Sequence, residues 1–301
     1  MIERNSTYDY HRSGDPDLIN EYTICESFAT EHSPYAKALN IKKSYGALLG
    51  DFLVKNNILN PDSIIAEAGG GYGSLMNGLM QSHSHLIERV VMFDLSSHLL
   101  KRQKNALLKW DGKINFVQTD IQDMIGSISS IHLLILNEII GDLDVIKNVD
   151  PHNIQGEVLE LVGKYNLDTP EHKIFNFNIG AVKVMEEICR NSYSAFISEH
   201  SSDPVFPDDM EYLNHELDIS YPREIRLYNH TEYTIRFSHL IKVAQAWNRE
   251  VYSGPLIDIP GIENNRALQF IFTNRISRTE RQEIIYELLD HIREYRWILI
   301  K

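Results

Sequence analysis

The stretch IIAEAGGGYGSLM, from Ile64 to Met76, constrains the fold more tightly than any other part of the chain. An apolar run of strand length ends near Glu67, glycines follow, and SLMNGLMQSH then carries helical spacing. A strand, a glycine-rich turn and a helix start make a place where a ligand's polar groups meet free backbone N–H groups. Glycine admits positive φ and lacks the Cβ that would hold a ligand away. Gly69 and Gly71 fit the first two positions of a dinucleotide fingerprint, G-x-G-x-x-G/A, but the third falls on Ser74. The spacing present is E-x-G-x-G-x-G, carried by Glu67, Gly69, Gly71 and Gly73. The competing reading is a flexible turn that holds nothing.

The surroundings favour a ligand. RVVMFDL reads as a second strand and SSHLLKRQKNALLKW as a helix capped by Ser96 or Ser97. INFVQTD and IHLLILNE read as further strands, IGAVKVMEEICRN as a helix and YSAFISEH as a fifth strand. This alternation predicts an α/β fold: a doubly wound, Rossmann-like, mostly parallel sheet. The expected division is an N-terminal helical segment over 1–58, a core over 59–200, and a C-terminal extension over 201–301 that completes the sheet and covers the substrate site. Within that extension IRLYNHTEYTIRF and ALQFIFTN read as strands. RTERQEIIYELLDHIREYRW reads as an amphipathic helix with Ile284, Ile285, Leu288, Leu289 and Ile292 facing the core.

Composition narrows the partners. The 301 residues carry a formal net charge of −13, which repels nucleic-acid phosphates, and no basic segment interleaved with aromatics offsets it. Apolar runs such as Ile131–Leu136 fall far short of the ~20 residues of a membrane span. The N-terminal stretch has neither a signal-peptide core nor transit-peptide character, so a cytoplasmic protein is expected. Cys25 and Cys189 form no Cys-x-x-Cys pair and read as small core residues. The histidines show no His-x-x-x-His or HExxH spacing, so no catalytic metal is expected.

Asp94 ends the second strand about 20 residues beyond Gly73, where an acid accepting ribose hydroxyls sits in nucleotide-binding folds. On these residues the loop resembles motif I of class I S-adenosylmethionine (SAM) methyltransferases, in which it passes under the methionine and ribose of SAM. The resemblance implies SAM as cofactor. It places Glu67, Gly69, Gly71, Gly73, Asp94, Leu95 and Asn137 against it, with Asp120 at the adenine amino group and Ile121 beside the ring. Taken singly, Asp94 reads equally as a helix N-terminal charge and Asp120 as a loop residue.

The methyl acceptor should lie at the end of the fourth strand, in LILNEIIGDLDV. Asn137 and Glu138 pair an amide with a carboxylate there. Glu138 suits orientation of an ammonium or guanidinium, or proton removal from a hydroxyl; the bland alternative is a carboxylate capping the next turn. This stretch resembles the N-E-x-x-D-A-x-P-V element of the MidA family, relatives of a mitochondrial complex I assembly methyltransferase. AEAGGGYGSLM is similar to that family's E-x-G-x-G-x-G-x-L-M. SSHLLKRQKNAL is similar to its S-P-x-L-x-x-x-Q-x-x-x-L helix through Ser96, Leu99, Gln103 and Leu107. RLYNH, with Phe237 and Leu240, resembles a later aromatic–His element. Asp142 falls one place off the family's aspartate, Asp144 replaces its proline, and Asp94 stands where glutamate is usual.

The resemblance implies methylation of a protein side chain, plausibly arginine, with Asn137 and Glu138 catalytic. A substrate-side role is open to Glu138, Tyr228 and His230, against the alternative that the last two are strand residues, and to Glu199 and His200, which end the fifth strand facing the same crevice. The glycine loop followed by FDL also resembles sugar O-methyltransferases, so a small-molecule acceptor stays open. A SAM-fold assembly factor without catalysis stays open too, as does a homodimer.

Overall fold

The computed structural model describes residues 10–12, 16, 18, 22–125, 130–217, 219, 221–227, 230–275 and 278–301. The described strands are β1 (Ser63–Ala68), β2 (Ile87–Asp94), β3 (Ile114–Gln118), β4 (Leu133–Asn137), β5 (Ile146–Val149), β6 (Phe175–Phe177), β7 (Ser194–His200), β8 (Glu224–Arg226), β9 (Thr231–Tyr233), β10 (Val251–Pro255) and β11 (Tyr295–Ile300). Seven of them form one sheet in the order β10-β11-β7-β4-β1-β2-β3. Neighbours from β7 to β3 pair in parallel, whereas β11 runs antiparallel to both β7 and β10. The fold is therefore the expected doubly wound, mostly parallel α/β sheet.

The residues explain the layering. Every residue of β1 and of β4 is buried, as continuous apolar runs covered on both faces should be. Ala66, Leu134 and Leu136 pack with Val182 and Met185 on one face. Ile65, Leu133 and Ile135 pack with Leu49 and Leu79 on the other. The chain passes from β1 to β2 on one side and reaches β4 on the other, so strand order reverses between β1 and β4. The carboxyl tips of the strands there open the crevice where ligands of such sheets bind.

Three local expectations change. Over residues 22–58 the expected N-terminal helical segment breaks into Ile24–Ser27, Pro34–Leu39 and Tyr45–Lys55, because Thr23, Ser33 and Ser44 each cap a new start. ALQFIFTN is helical, not extended: Arg266–Asn274 begins at Asn265, whose Oδ1 accepts from Ala267 N and Leu268 N at 3.0 Å. Its buried residues Leu268, Ile271 and Phe272 follow helical spacing, which outweighs the strand preference of its branched and aromatic side chains. The last helix stops at Ile292 and the chain reverses into β11. Of its apolar stripe, Ile285, Leu288, Leu289 and Ile292 are buried in the core. Among the described residues no helix is long and apolar enough to cross a membrane.

Candidate functional site

Around the tips of β1, β2, β4 and β7 lies a cavity of about 640 Å³, within the roughly 300–1,000 Å³ usual for small-ligand sites. Its floor is the glycine loop. Gly69, Gly71 and Gly73 take φ of +65°, +51° and +88°, the left-handed region that side chains disfavour. A Cβ on Gly69 would collide with Ile139, so the loop passes the tip of β4 with no room to spare. Gly69 N donates to Phe93 O at 2.8 Å, which ties the loop to β2. Gly73 leads directly into the Ser74–His83 helix.

The three strand-end acids line this cavity with the loop. Asp94 is 5% exposed; its Oδ1 accepts from Ser96 N and its Oδ2 from Gln103 Nε2, both at 2.8 Å. Burial pushes its carboxyl up to about 6. The same Gln103 amide reaches Gly71 O at 3.2 Å, coupling acid and loop. Glu67 is 2% exposed, and burial, then Asp94, push it up to about 8. Its Oε2 is buried, with no hydrogen-bond partner among the described residues. Asp120 is half-buried and accepts from Gln122 N at 2.8 Å, with Ile121 buried beside it and Leu95 half-buried at the end of β2.

The tip of β4 forms the other end. Asn137 Oδ1 accepts from the hydroxyls of Tyr45 (3.0 Å) and Ser198 (2.7 Å). Its amide donates to Glu138 Oε2 at 3.0 Å and to Cys25 Sγ at 3.3 Å. Glu138 has φ +54°, an uncommon conformation for a residue with a side chain. It also accepts from Tyr295 Oη (2.8 Å) and from Ile24 N (3.1 and 3.2 Å). Ile24 starts a helix, so Glu138 satisfies one of its otherwise unpartnered N–H groups. Burial pushes Glu138 up to about 7.

Asn137 and Glu138 lie on the lining, together with Glu67, Gly69, Gly71, Asp94, Leu95, Asp120 and Ile121, the residues expected against a cofactor. Gly73 sits behind the loop at the helix start, against Gln103 and Ala106. His230 is buried off the lining, with its Nε2 3.4 Å from Glu232 Oε1. Tyr228 lies outside the described residues. Cys189 is buried; Cys25, by contrast, lines the cavity, and burial holds its thiol well above the ordinary range.

Several lining residues were not legible in the sequence. Glu232, His11 and Tyr295 come from distant segments, and Tyr295 sat inside a run read as helix. Glu199 and His200, by contrast, lie on the lining at the end of β7, the strand read in YSAFISEH. Glu199 Oε2 accepts from Gly141 N at 3.1 Å and its Oε1 from His200 N at 2.9 Å; burial, then Glu232, raise its carboxyl well above the ordinary range. His11 is pushed down to about 4 by burial and by His230. Among the described lining residues Arg223 is the one fixed cation, facing many carboxylates. A negative cavity of this kind attracts cationic ligands.

The chain is a Rossmann-like α/β domain with an open crevice at the switch point of its sheet. No family model matches the chain, and no curated protein matches it by sequence. Solved structures do. One, from Burkholderia thailandensis, is regarded as a methyltransferase and holds S-adenosylhomocysteine. It is 14% identical, with a TM-score of 0.56 over 93% of this chain and 78% of its own. A second structure, of a protein from the same organism and the same superfamily as the first, is 12% identical, with a TM-score of 0.54 over 98% of this chain and 91% of its own.

Proposed function

We propose that the chain is a SAM-dependent methyltransferase, and that its acceptor is a cationic protein side chain, that of arginine. The observation that carries the first part is the cavity itself. A positive-φ glycine loop, the buried Glu67 Oε2, which has no partner among the described residues, and Asp94 and Asp120 at successive strand ends surround it. The acceptors among these groups fit a nucleoside bearing an ammonium and a sulfonium. Likeness of fold to a structure that holds S-adenosylhomocysteine supports the same reading. When bound, SAM would supply an electrophilic methyl group. Glu67, Asp94 and Asp120 would hold its amino-acid, ribose and adenine ends, with Leu95 and Ile121 against the rings.

Support for a cationic acceptor comes from the other end. Glu138, Glu199 and Glu232 converge there beside Tyr295. A guanidinium there would find carboxylates able to orient it and to take its proton. With its carboxyl pushed up to about 7, Glu138 lies near the best range for a base at neutral pH. Support for a peptide rather than a metabolite comes from a neighbouring groove walled by Glu283, Glu287, Asp290 and Glu294. It shares Tyr22, His200 and His291 with the main cavity. These features suit the MidA-like reading of the NEIIGD element.

A second reading is a SAM-fold assembly factor that does not catalyse. It is favoured by the donors on Glu138, which serve the chain's own packing. The deciding experiment is incubation with methyl-labelled SAM and host lysate, separated into protein and small-molecule fractions, with acid hydrolysis of the protein. Labelled methylarginine is the expected product. Label confined to small molecules would overturn the acceptor, and calorimetry showing no SAM binding would overturn the enzyme.

A further inference from the structure

The acceptor end holds a second constellation that methyl transfer does not use. His11, Asp142 and His230 come from three remote parts of the chain, yet one ligand atom from each lies within 4.8 Å of the others. Asp142 closes the short turn Ile140–Asp142 just after β4. His230 precedes β9, where its carbonyl accepts from Leu227 N at 3.0 Å. His11 Nε2 stands 3.9 Å from Asp142 Oδ2. The two imidazole rings lie 5.8 Å apart at 75°, and Tyr10 stacks on His230 at 4.7 Å.

We propose that His11, Asp142 and His230 form a binding site for one divalent transition-metal ion of the zinc type. Two imidazoles and a carboxylate are ligands that zinc and its neighbours accept, whereas magnesium and calcium prefer all-oxygen shells. Donors around a tetrahedral zinc lie about 3.3 Å apart, given bonds of about 2.0–2.1 Å. The present spacing is therefore a slightly expanded version, closed by small side-chain rotations. Glu232 Oε1, 3.4 Å from His230 Nε2, stands where an outer carboxylate orients a ligating imidazole. Because His11 and Asp142 both line the cavity, a fourth position faces its interior. The ion would pin the N-terminal segment to the β4 turn and to the β8–β9 hairpin. The site stands whether or not the methyl-transfer reading holds.

The competing explanation is a simple histidine–carboxylate pair with no ion. Calorimetry of the metal-free chain with Zn²⁺ alone separates the two. We expect one Zn²⁺ per chain and no comparable response to Mg²⁺. His230→Ala and Asp142→Asn should each weaken binding by at least about 100-fold, and Glu232→Gln by about 10–100-fold. His152→Ala, in an exposed pair with His172 whose rings lie 5.7 Å apart, should leave the stoichiometry unchanged. Where a buried-site variant fails to fold, His11→Gln and the visible absorption of the Co²⁺-loaded wild type give the same answer. No Zn²⁺ binding by the wild type overturns the proposal, as does Zn²⁺ binding undiminished in both His11→Gln and His230→Ala.

Discussion

The two ends of the cavity are built in opposite ways. The glycine-loop end comes from consecutive βα units: Glu67, the loop, Asp94 and Asp120 follow one another along the chain and along the sheet. The Glu138 end is assembled from afar, with Ile24, Glu199, Glu232 and Tyr295 brought together only by the finished fold. The first end repeats a rule of open α/β sheets and fits a ligand many proteins share. The second is particular to this chain, which is where specificity for an acceptor belongs. If that division is right, the two ends can be damaged separately.

The largest separation is expected from Glu138→Gln. It keeps the shape and removes both the charge and the proton acceptor. Turnover with the acceptor found by labelling should fall by about 10²–10⁴-fold, the usual worth of a positioned acid–base group. The SAM dissociation constant, read by calorimetry, should stay near the wild-type value. Equal losses in both would mean that Glu138 supports the whole cavity rather than one end.

Proton linkage isolates the other end. Asp94 and Glu67 are pushed up to about 6 and about 8, so both hold protons more tightly folded than unfolded. Their stabilising contribution is fully present below about pH 4. It is lost as pH rises through about 6 for Asp94 and about 8 for Glu67. For Asp94 the loss is on the order of 3 kcal/mol, at 1.36 kcal/mol per pKa unit. The melting temperature without cofactor should therefore fall between about pH 5 and pH 8. A cationic ligand favours the ionised carboxylates, so saturating SAM should flatten the curve. Glu67→Gln should make the fall above about pH 6 shallower, leaving the part that Glu138 and Glu199 contribute. A melting curve with SAM as steep as that without it would break the assignment of these acids to the cofactor end.

Asp94→Asn comes next. Hydrogen bonds to a charged group contribute about 1.5–3 kcal/mol, so SAM affinity should drop by about 10–100-fold. Turnover at saturating SAM should hold, because Glu138 and its donors are untouched. A collapse of turnover at saturation would tie the two ends together.

The same contrast explains what the sequence made legible. β1, β2, β3, β4 and β7, the loop and its acids were readable, because each depends on a period, a turn residue or a spacing within one βα unit. The Glu138 end was half readable: Asn137 and Glu138 sit at a strand end, but nothing local announces that Tyr295 and Ile24 N will reach Glu138. The misread elements have physical reasons too. In ALQFIFTN, branched and aromatic residues favour a strand, yet Asn265 supplies two capping bonds and the buried positions follow helical spacing. In the last helix the apolar stripe runs on into YRWILI, and only pairing with β7 and β10 makes that segment a strand. His11, Asp142 and His230 share no spacing at all; topology alone places them together.

The smallest test asks how finely the Glu138 end is tuned. Tyr295→Phe removes one donor to a buried carboxylate that keeps Ile24 N and the Asn137 amide. The cost should be about 1–2 kcal/mol, seen as a melting point lower by a few degrees. Tyr295 lowers the Glu138 carboxyl through its hydrogen bond, so its loss should raise that carboxyl further. The acid limb of the pH–rate profile should then move upward while SAM affinity stays constant. An unmoved limb with the same loss of stability would make Tyr295 a packing residue and leave Glu138 out of the proton transfer.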